Sequence, residues 1–291
     1  MSVAGELKPP AAKGGTGAGL RRHRFLANAE DWLALLGRKP RPGTASPAWR
    51  TPARLALIGL PALIIIAGTM VWLDAPTIIA VGGLPEWITR VFNELTDYGT
   101  SDWFLVPIGI VLVGLAALAP RALSHLGRLV LVACTVRLGF VFAAIALPGL
   151  FVTIFKRLIG RARPFIGGDA DPFHYAPFIW RPDYASLPSG HATNVFAALV
   201  AVGLVWPRLR PIMLVYALII AASRVIVLAH HPSDVIAGAV VGTIGALLVR
   251  DWFAARRLGF AIAPDGAVRA LPGPSGRRIK NVLERLVRAG A

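Results

Sequence analysis

The sequence predicts an all-α membrane protein, a six-transmembrane-helix bundle with cytoplasmic N- and C-terminal tails. Three observations predict it. The chain of 291 residues is 55% hydrophobic with a mean hydropathy of +0.62, above the roughly 45–50% apolar content of an ordinary soluble domain. Its apolar residues gather into six runs, 55–72, 103–119, 129–154, 191–206, 212–229 and 235–249. Its 31 Lys and Arg residues, which against 15 Asp and Glu leave a formal net charge of +16, sort by loop as the positive-inside rule requires.

Residues 1–52 form a basic cytoplasmic tail, with ten Lys/Arg against three acids up to Arg54. Within it Leu20, Phe25, Leu26, Trp32, Leu33 and Leu36 stand near Arg21, Arg22 and Arg24, a pattern that suits either a helix lying on the membrane or a solvated tail. The paired arginines do not start a twin-arginine signal, because no apolar core follows them directly. The first apolar run begins after more than fifty mostly polar residues, which suits an uncleaved anchor rather than a cleaved signal peptide.

Residues 53–250 are the six-span core. After span one, Asp74 to Asp102 carries only Arg90 against five acids and is read as an outside loop. Arg121 and Arg128 follow span two, and Arg208 and Arg210 follow span four, both on the inside. Span three is long and contains Arg137 and Pro148, so it is expected to tilt or kink, with Arg137 reaching toward the cytoplasm or pairing inside the bundle. Spans four and six are short of the roughly 17–25 residues a crossing needs and borrow flanking residues. Gly238 and Gly242 in span six have the spacing of close helix contacts. Cys134, the only cysteine, lies inside an apolar run, so no intramolecular disulfide forms. Residues 251–291 are a second basic cytoplasmic tail, with nine Lys/Arg against three acids from Arg250 onward. The basic excess is thus a topology signal, and nucleic acid is not an expected partner.

One loop breaks the rule. Between spans three and four, on the outside, crowd Lys156, Arg157, Arg161, Arg163 and Arg181. A bound anion explains cations on the disfavoured side; attraction to anionic headgroups is the alternative. The same topology brings Lys156 after span three, His191 at the start of span four, His230 at the end of span five and Asp234 at the start of span six to one layer. Ionisable residues at helix ends that face a bundle mark functional sites.

Each has its own logic. Lys156 and Arg163 are seven apart, so on a helix they face nearly the same side about 10 Å apart along the axis, and two such side chains can close on one anion. Ser189 and Gly190 stand at a helix N-cap, where partial positive charge suits a phosphate and glycine admits close approach; an ordinary cap is the competing reading. Arg224 inside span five needs an anion or a partner. Pro232 disfavours helix at His231, so span five should end around His230, four residues before Asp234. Asp234 then fixes one imidazole nitrogen and leaves the other as a nucleophile, with His231 as a competitor for that role. The aromatics between Arg163 and Ser189, among them Phe165, Phe178 and Trp180, form an interfacial belt or floor a lipid access route. Asp169 and Asp171 are solvated loop residues, and no cluster has metal-ligand spacing.

Together "KRLIGRARP", "PSGH" and "SRVIVLAHHPSD" resemble the three-part signature of the type 2 phosphatidic acid phosphatase family, relatives of the haloperoxidases. Lys156, Arg163, Pro164, Pro188, Ser189, Gly190, His191, Ser223, Arg224, His230 and Asp234 fill every fixed position. The resemblance implies a metal-independent membrane phosphatase without cofactor, working through a phosphohistidine. It implies that His230 attacks phosphorus, that Asp234 orients it, and that His191 protonates the leaving oxygen and then activates water. Lys156, Arg163, Ser189, Gly190 and Arg224 would hold the phosphoryl oxygens. The implied substrate is a lipid phosphate or diphosphate at the outer face of a bacterial inner membrane. Undecaprenyl diphosphate is the first choice, with lipid A, phosphatidylglycerophosphate or transfer to another lipid as alternatives. A vanadium haloperoxidase and a non-enzymatic transporter of anionic lipid are the competing classes; the spans argue against the first and the complete catalytic set against the second.

Overall fold

The computed structural model describes residues 46–117 and 123–290, together with 26, 30, 32, 34 and 36–40. After a 3-10 turn at Ala48–Arg50 come α1 (Pro52–Trp72), α2 (Asp74–Gly82), α3 (Glu86–Asp97) and α4 (Asp102–Ala117). They are followed by α5 (His125–Ile159), α6 (Gly190–Val205), α7 (Arg210–Ile226) and α8 (Pro232–Ala255). A hairpin of β1 (Phe260–Ile262) and β2 (Val268–Ala270) leads to α9 (Gly276–Gly290).

Among the described residues, five stretches are long and apolar enough to cross a membrane: Pro52–Trp72, Glu86–Ala117, His125–Ile159, Pro207–Ile226 and Pro232–Ala255. The fourth expected span is the one outside that set. The fourth apolar run folds into α6, whose 16 residues span about 24 Å at 1.5 Å per residue, less than a hydrocarbon core of roughly 30 Å. Pro207 stops it, because the residue before a proline is kept out of helical geometry. The chain is all-helical as expected apart from one short hairpin of three-residue strands, which pairs Phe260 with Ala270 and Ile262 with Val268.

The short helix is the central one. Ala192, Val195, Ala197, Ala198 and Ala201 on α6 are fully buried, and α6 packs against α5, α7 and α8. Its closest approach is to α8, where Cβ atoms on Gly238 and Gly242 would overlap the backbone oxygens of Ser189 and Thr193. The expected glycine contact is therefore present. By contrast, α1 and α4 carry exposed Leu57, Ile64, Ile110 and Val113, as befits surfaces solvated by lipid tails. Helix α5, about 52 Å long for its 35 residues, runs unbroken through Pro148, which lies against Gly245 of α8.

At the end where α1 begins and α8 finishes, both terminal segments are tied down. Buried Asp251 accepts from Trp49 Nε1 at 2.8 Å and pairs with Arg50 at 3.0 Å and Arg250 at 2.7 Å. The hairpin joins the core through Phe260, 4.7 Å edge-on from Phe140. Ile279, Val282 and Leu286 of α9 pack on Leu123, Val130 and Cys134. Arg137 donates to the carbonyls of Ala133 and Leu271, both at 2.9 Å, so it pairs with the C-terminal segment. The amphipathic pattern over residues 20–36 lies largely outside the described residues; Leu36 packs against the main core.

Candidate active site

The opposite end of the bundle, where α5 and α7 finish and α6 and α8 begin, gathers the residues singled out by sequence. Helix α5 stops at Ile159 because Gly160 takes φ +64° and returns its N–H to the Lys156 carbonyl at 3.1 Å. Only glycine fits here, since a Cβ would overlap the Ala176 carbonyl oxygen as well as face a left-handed backbone. The chain then doubles back: Ala176 N–H donates to Gly160 at 2.7 Å and Ala162 N–H to His174 at 2.9 Å. Lys156 therefore lies on the last turn of α5 while Arg163 lies on the returning loop, anchored by its N–H to the Asp183 carbonyl at 2.8 Å. The expected helical spacing of this pair is corrected; the reversal at Gly160 brings both to one place.

Ser189 caps α6, its Oγ accepting from Ala192 N–H at 3.4 Å, and its own N–H donates to the Asp234 carbonyl at 3.0 Å. A Cβ on Gly190 would meet no protein atom within 4 Å, so any demand for glycine there comes from a ligand and not from the fold. His191 follows, half-buried, beside Gly99.

Helix α7 ends at Ile226, earlier than the expected His230. Leu228 takes φ +55°, and the Arg224 carbonyl collects the N–H groups of Ala229 and His230, both at 3.1 Å. His230 thus sits in a tight connection and His231 caps α8. The Asp234 carboxylate faces both: its Oδ2 is 3.8 Å from His230 Nδ1 and 3.4 Å from His231 Nδ1, and accepts the His231 N–H at 2.9 Å. At 3.8 Å the His230 contact is electrostatic and longer than a hydrogen bond, a spacing that commonly tightens when a substrate binds. Burial pushes the His230 imidazole down to about 4, against the opposing pull of Asp234, so at neutral pH it is an uncharged base.

Behind Asp234 lies a buried network. Arg161, fully enclosed, donates from Nη1 to Asp234 Oδ1 at 2.5 Å and to Ser233 Oγ at 2.8 Å. It also donates from Nη2 to Asp74 Oδ2 at 2.8 Å and from Nε to the Pro172 carbonyl at 2.9 Å. Ser233 donates its N–H and hydroxyl to Asp74, and Ser186 Oγ donates to Asp234 Oδ2 at 2.6 Å. Burial alone would lower the Arg161 guanidinium, but the two carboxylates hold it above its usual range. On the α7 side, Arg224 Nη1 donates to Thr96 Oγ1 at 2.6 Å, with Ser223 Oγ 3.0 Å from the same oxygen. Asp74, Thr96, Ser186 and Ser233 were not singled out by the sequence reading, and Arg161 was counted only as one of the loop cations.

Lys156, Arg163, Arg224, His191 and His230 lie close enough to act on one another's charge. None of the three cations forms an ion pair among the described residues, and the buried Nε atoms of Arg163 and Arg224 have no hydrogen-bond partner. Three cations in a low-dielectric recess repel one another unless an anion joins them, and an α-helix N-terminus beside two guanidinium forks is a chemistry that suits an oxyanion. Asp171 only caps its own turn. Phe178 and Trp180 are 72% and 70% exposed, and the Arg157 guanidinium lies 5.7 Å from the Trp180 ring. No group of three or more His, Cys, Asp or Glu suited to a metal ion occurs among the described residues.

Residues 137–258 match the model of the PAP2 superfamily. The chain is 35% identical over 246 residues to a lipid A 1-phosphatase of Rhizobium johnstonii, covering 81% of this chain and 94% of that one. It is 34% identical over 202 residues to a lipid A 1-phosphatase of Rhizobium etli, covering 69% and 86%. Among solved structures, that of Aquifex aeolicus LpxE aligns with a TM-score of 0.43 at 18% identity, covering 61% of this chain and 94% of that chain.

Proposed function

Because this chain belongs to the PAP2 superfamily of membrane lipid phosphatases, we propose that it hydrolyses the 1-phosphate of lipid A through a phosphohistidine on His230. The substrate choice rests on the two relatives of that name and replaces undecaprenyl diphosphate, which the sequence alone put first. The observation that carries the chemistry is the meeting of three unpaired cations, Lys156, Arg163 and Arg224, with an uncharged, buried histidine backed by a carboxylate.

The steps follow from that arrangement. The lipid phosphate enters the cation recess with its tails in the bilayer. Asp234 takes the proton of His230 Nδ1 in a hydrogen bond, and the free Nε2 attacks phosphorus. As the N–P bond forms, the bond to the lipid oxygen breaks, and His191 gives that oxygen the proton it took from the entering phosphate monoanion. His191, now neutral, takes a proton from water; the hydroxide attacks phosphorus, the N–P bond breaks, and phosphate departs. Arg163, Arg224 and Lys156 stabilise the charge on the three non-bridging oxygens, which is where phosphoryl transfer needs help. We place the site at the periplasmic face of a bacterial inner membrane, with α6 completing six crossings and both termini in the cytoplasm. The loop charges and the packing of both terminal segments at the far end of the bundle support that reading.

The test is phosphate release by purified protein from lipid A, undecaprenyl diphosphate and phosphatidylglycerophosphate, with acid-labile phosphoprotein trapped by rapid quench. Wild type should prefer lipid A, His230→Ala should give neither product nor phosphoprotein, and His231→Gln should keep both. Equal release from wild type and His230→Ala would overturn the mechanism; preference for undecaprenyl diphosphate would overturn the substrate.

A further inference from the structure

We infer that Asp74 and Arg161 are positioning residues for the nucleophile, acting on His230 through Asp234. The inference rests on the phosphohistidine reading above. Neither residue belongs to the signature, and Asp74 lies outside residues 137–258 altogether.

The argument begins with cost. Asp74 and Arg161 are both fully buried, and charged side chains are rarely enclosed unless paired. Asp74 is the first residue of α2, directly after the first span, and its partners lie 87 and 159 residues further on. A connection this distant in sequence joins α2, the loop after α5 and the first turn of α8 at a single guanidinium.

Its geometry is directional. Arg161 fills Asp234 Oδ1, while Ser186 and the His231 N–H fix Oδ2. The carboxylate is thereby clamped with Oδ2 toward His230, the orientation in which it can receive the Nδ1 proton. Asp74 clamps the clamp: it holds Arg161 Nη2, and it holds Ser233, whose hydroxyl accepts from Arg161 Nη1.

The charge count points the same way. Asp74 and Asp234 share one guanidinium, so the trio keeps one net negative charge beside a histidine that must carry positive charge as it bonds to phosphorus. Around His230 the charged groups are Asp234, Arg224 and Arg163, with His191 across the recess; around Arg161 they are Asp234, Asp74 and the Tyr175 hydroxyl. Neutralising Asp74 concentrates Arg161 on Asp234 and weakens its support of His230. Removing the guanidinium does the reverse electrostatically but frees the carboxylate to turn.

The test uses the full chain in detergent micelles, with kcat, KM and melting temperature measured from pH 4 to 8.5. Asp74→Asn should lower kcat about 10- to 100-fold, the range for residues that orient a catalytic ligand, with KM within about twofold because the cation recess is untouched. Arg161→Gln should lower kcat and move its acid limb upward from about 4, whereas Asp74→Asn should not raise that limb; Arg161→Lys should recover part of the rate. Ser233→Ala, the mildest change, should fold like wild type and still lose rate. Wild-type kcat in Asp74→Asn or Ser233→Ala overturns the inference, as do lowered melting temperatures with an unmoved acid limb in Arg161→Gln. A wild type that turns over with no dependence on His230 overturns the phosphohistidine reading instead, so the two failures are separable.

Discussion

Thr96→Val removes the side-chain acceptor of one cation of the recess, together with a contact from Ser223, whose hydroxyl still donates to the Ile220 carbonyl at 2.7 Å. Thr96 is buried on the last turn of α3, and its Oγ1 accepts from Arg224 Nη1 at 2.6 Å. Valine keeps the shape and removes the acceptor. A hydrogen bond to a charged group contributes about 1.5–3 kcal/mol, and about 1.36 kcal/mol is a factor of ten in rate. If Arg224 is held for the transition state, kcat/KM should fall about 10- to 100-fold. Helix α3 should stay in place, because Tyr216 Oη still donates to the Tyr98 carbonyl at 2.5 Å. The assay is initial phosphate release at subsaturating lipid, with Thr96→Ser as the control that keeps the acceptor. Thr96→Val at the wild-type rate, or Thr96→Ser as impaired as Thr96→Val, would refute the assignment.

Further outcomes follow from the same geometry. His230 is held near 4 in the folded protein against about 6.5 when free. The unfolded chain therefore takes up a proton that the folded chain refuses as pH falls from about 6.5 to 4, and stability is lost in that window. The loss is about 2 kcal/mol at pH 5, visible as a lower melting temperature at pH 5 than at pH 7, and it should shrink in His230→Ala. Gly190→Ala should melt like wild type, since its Cβ meets nothing, yet lose turnover at least about tenfold if phosphate lies against that backbone. Gly238→Ala should instead melt lower, by roughly 1–3 kcal/mol of overpacking, because its Cβ overlaps the Ser189 carbonyl oxygen.

Much of this was legible in the sequence because it is written locally. Apolar runs announced the helices, and Lys156, His191, His230 and Asp234 each stand at a run's end, so topology alone brought them to one layer. Geometry set by single backbone angles was less legible. Leu228 at φ +55° ends α7 early, and no leucine advertises that; Gly160 reverses the chain between Lys156 and Arg163, where a helix was a reasonable expectation. The hairpin carries a short local signal, Asp265–Gly266 between apolar residues, with Gly266 at φ +76°. Asp74 and Thr96 carried none. Each is one polar residue in a segment whose charges served only to orient the chain, and its partner lies 87 or 128 residues away.

The origin of those two side chains bears on how such a protein can be divided. Residues 156–234 hold every signature position, and a fragment cut to them would look whole to any reader of motifs. It would lack the acceptor that steadies Arg224 and the carboxylate that steadies Arg161. The unit that can be inherited, swapped or transplanted with its chemistry intact therefore begins before Asp74, at the first helix. A chimera joined between the first two spans and the rest should keep both only when the donor of the front half brings a matching acid and hydroxyl.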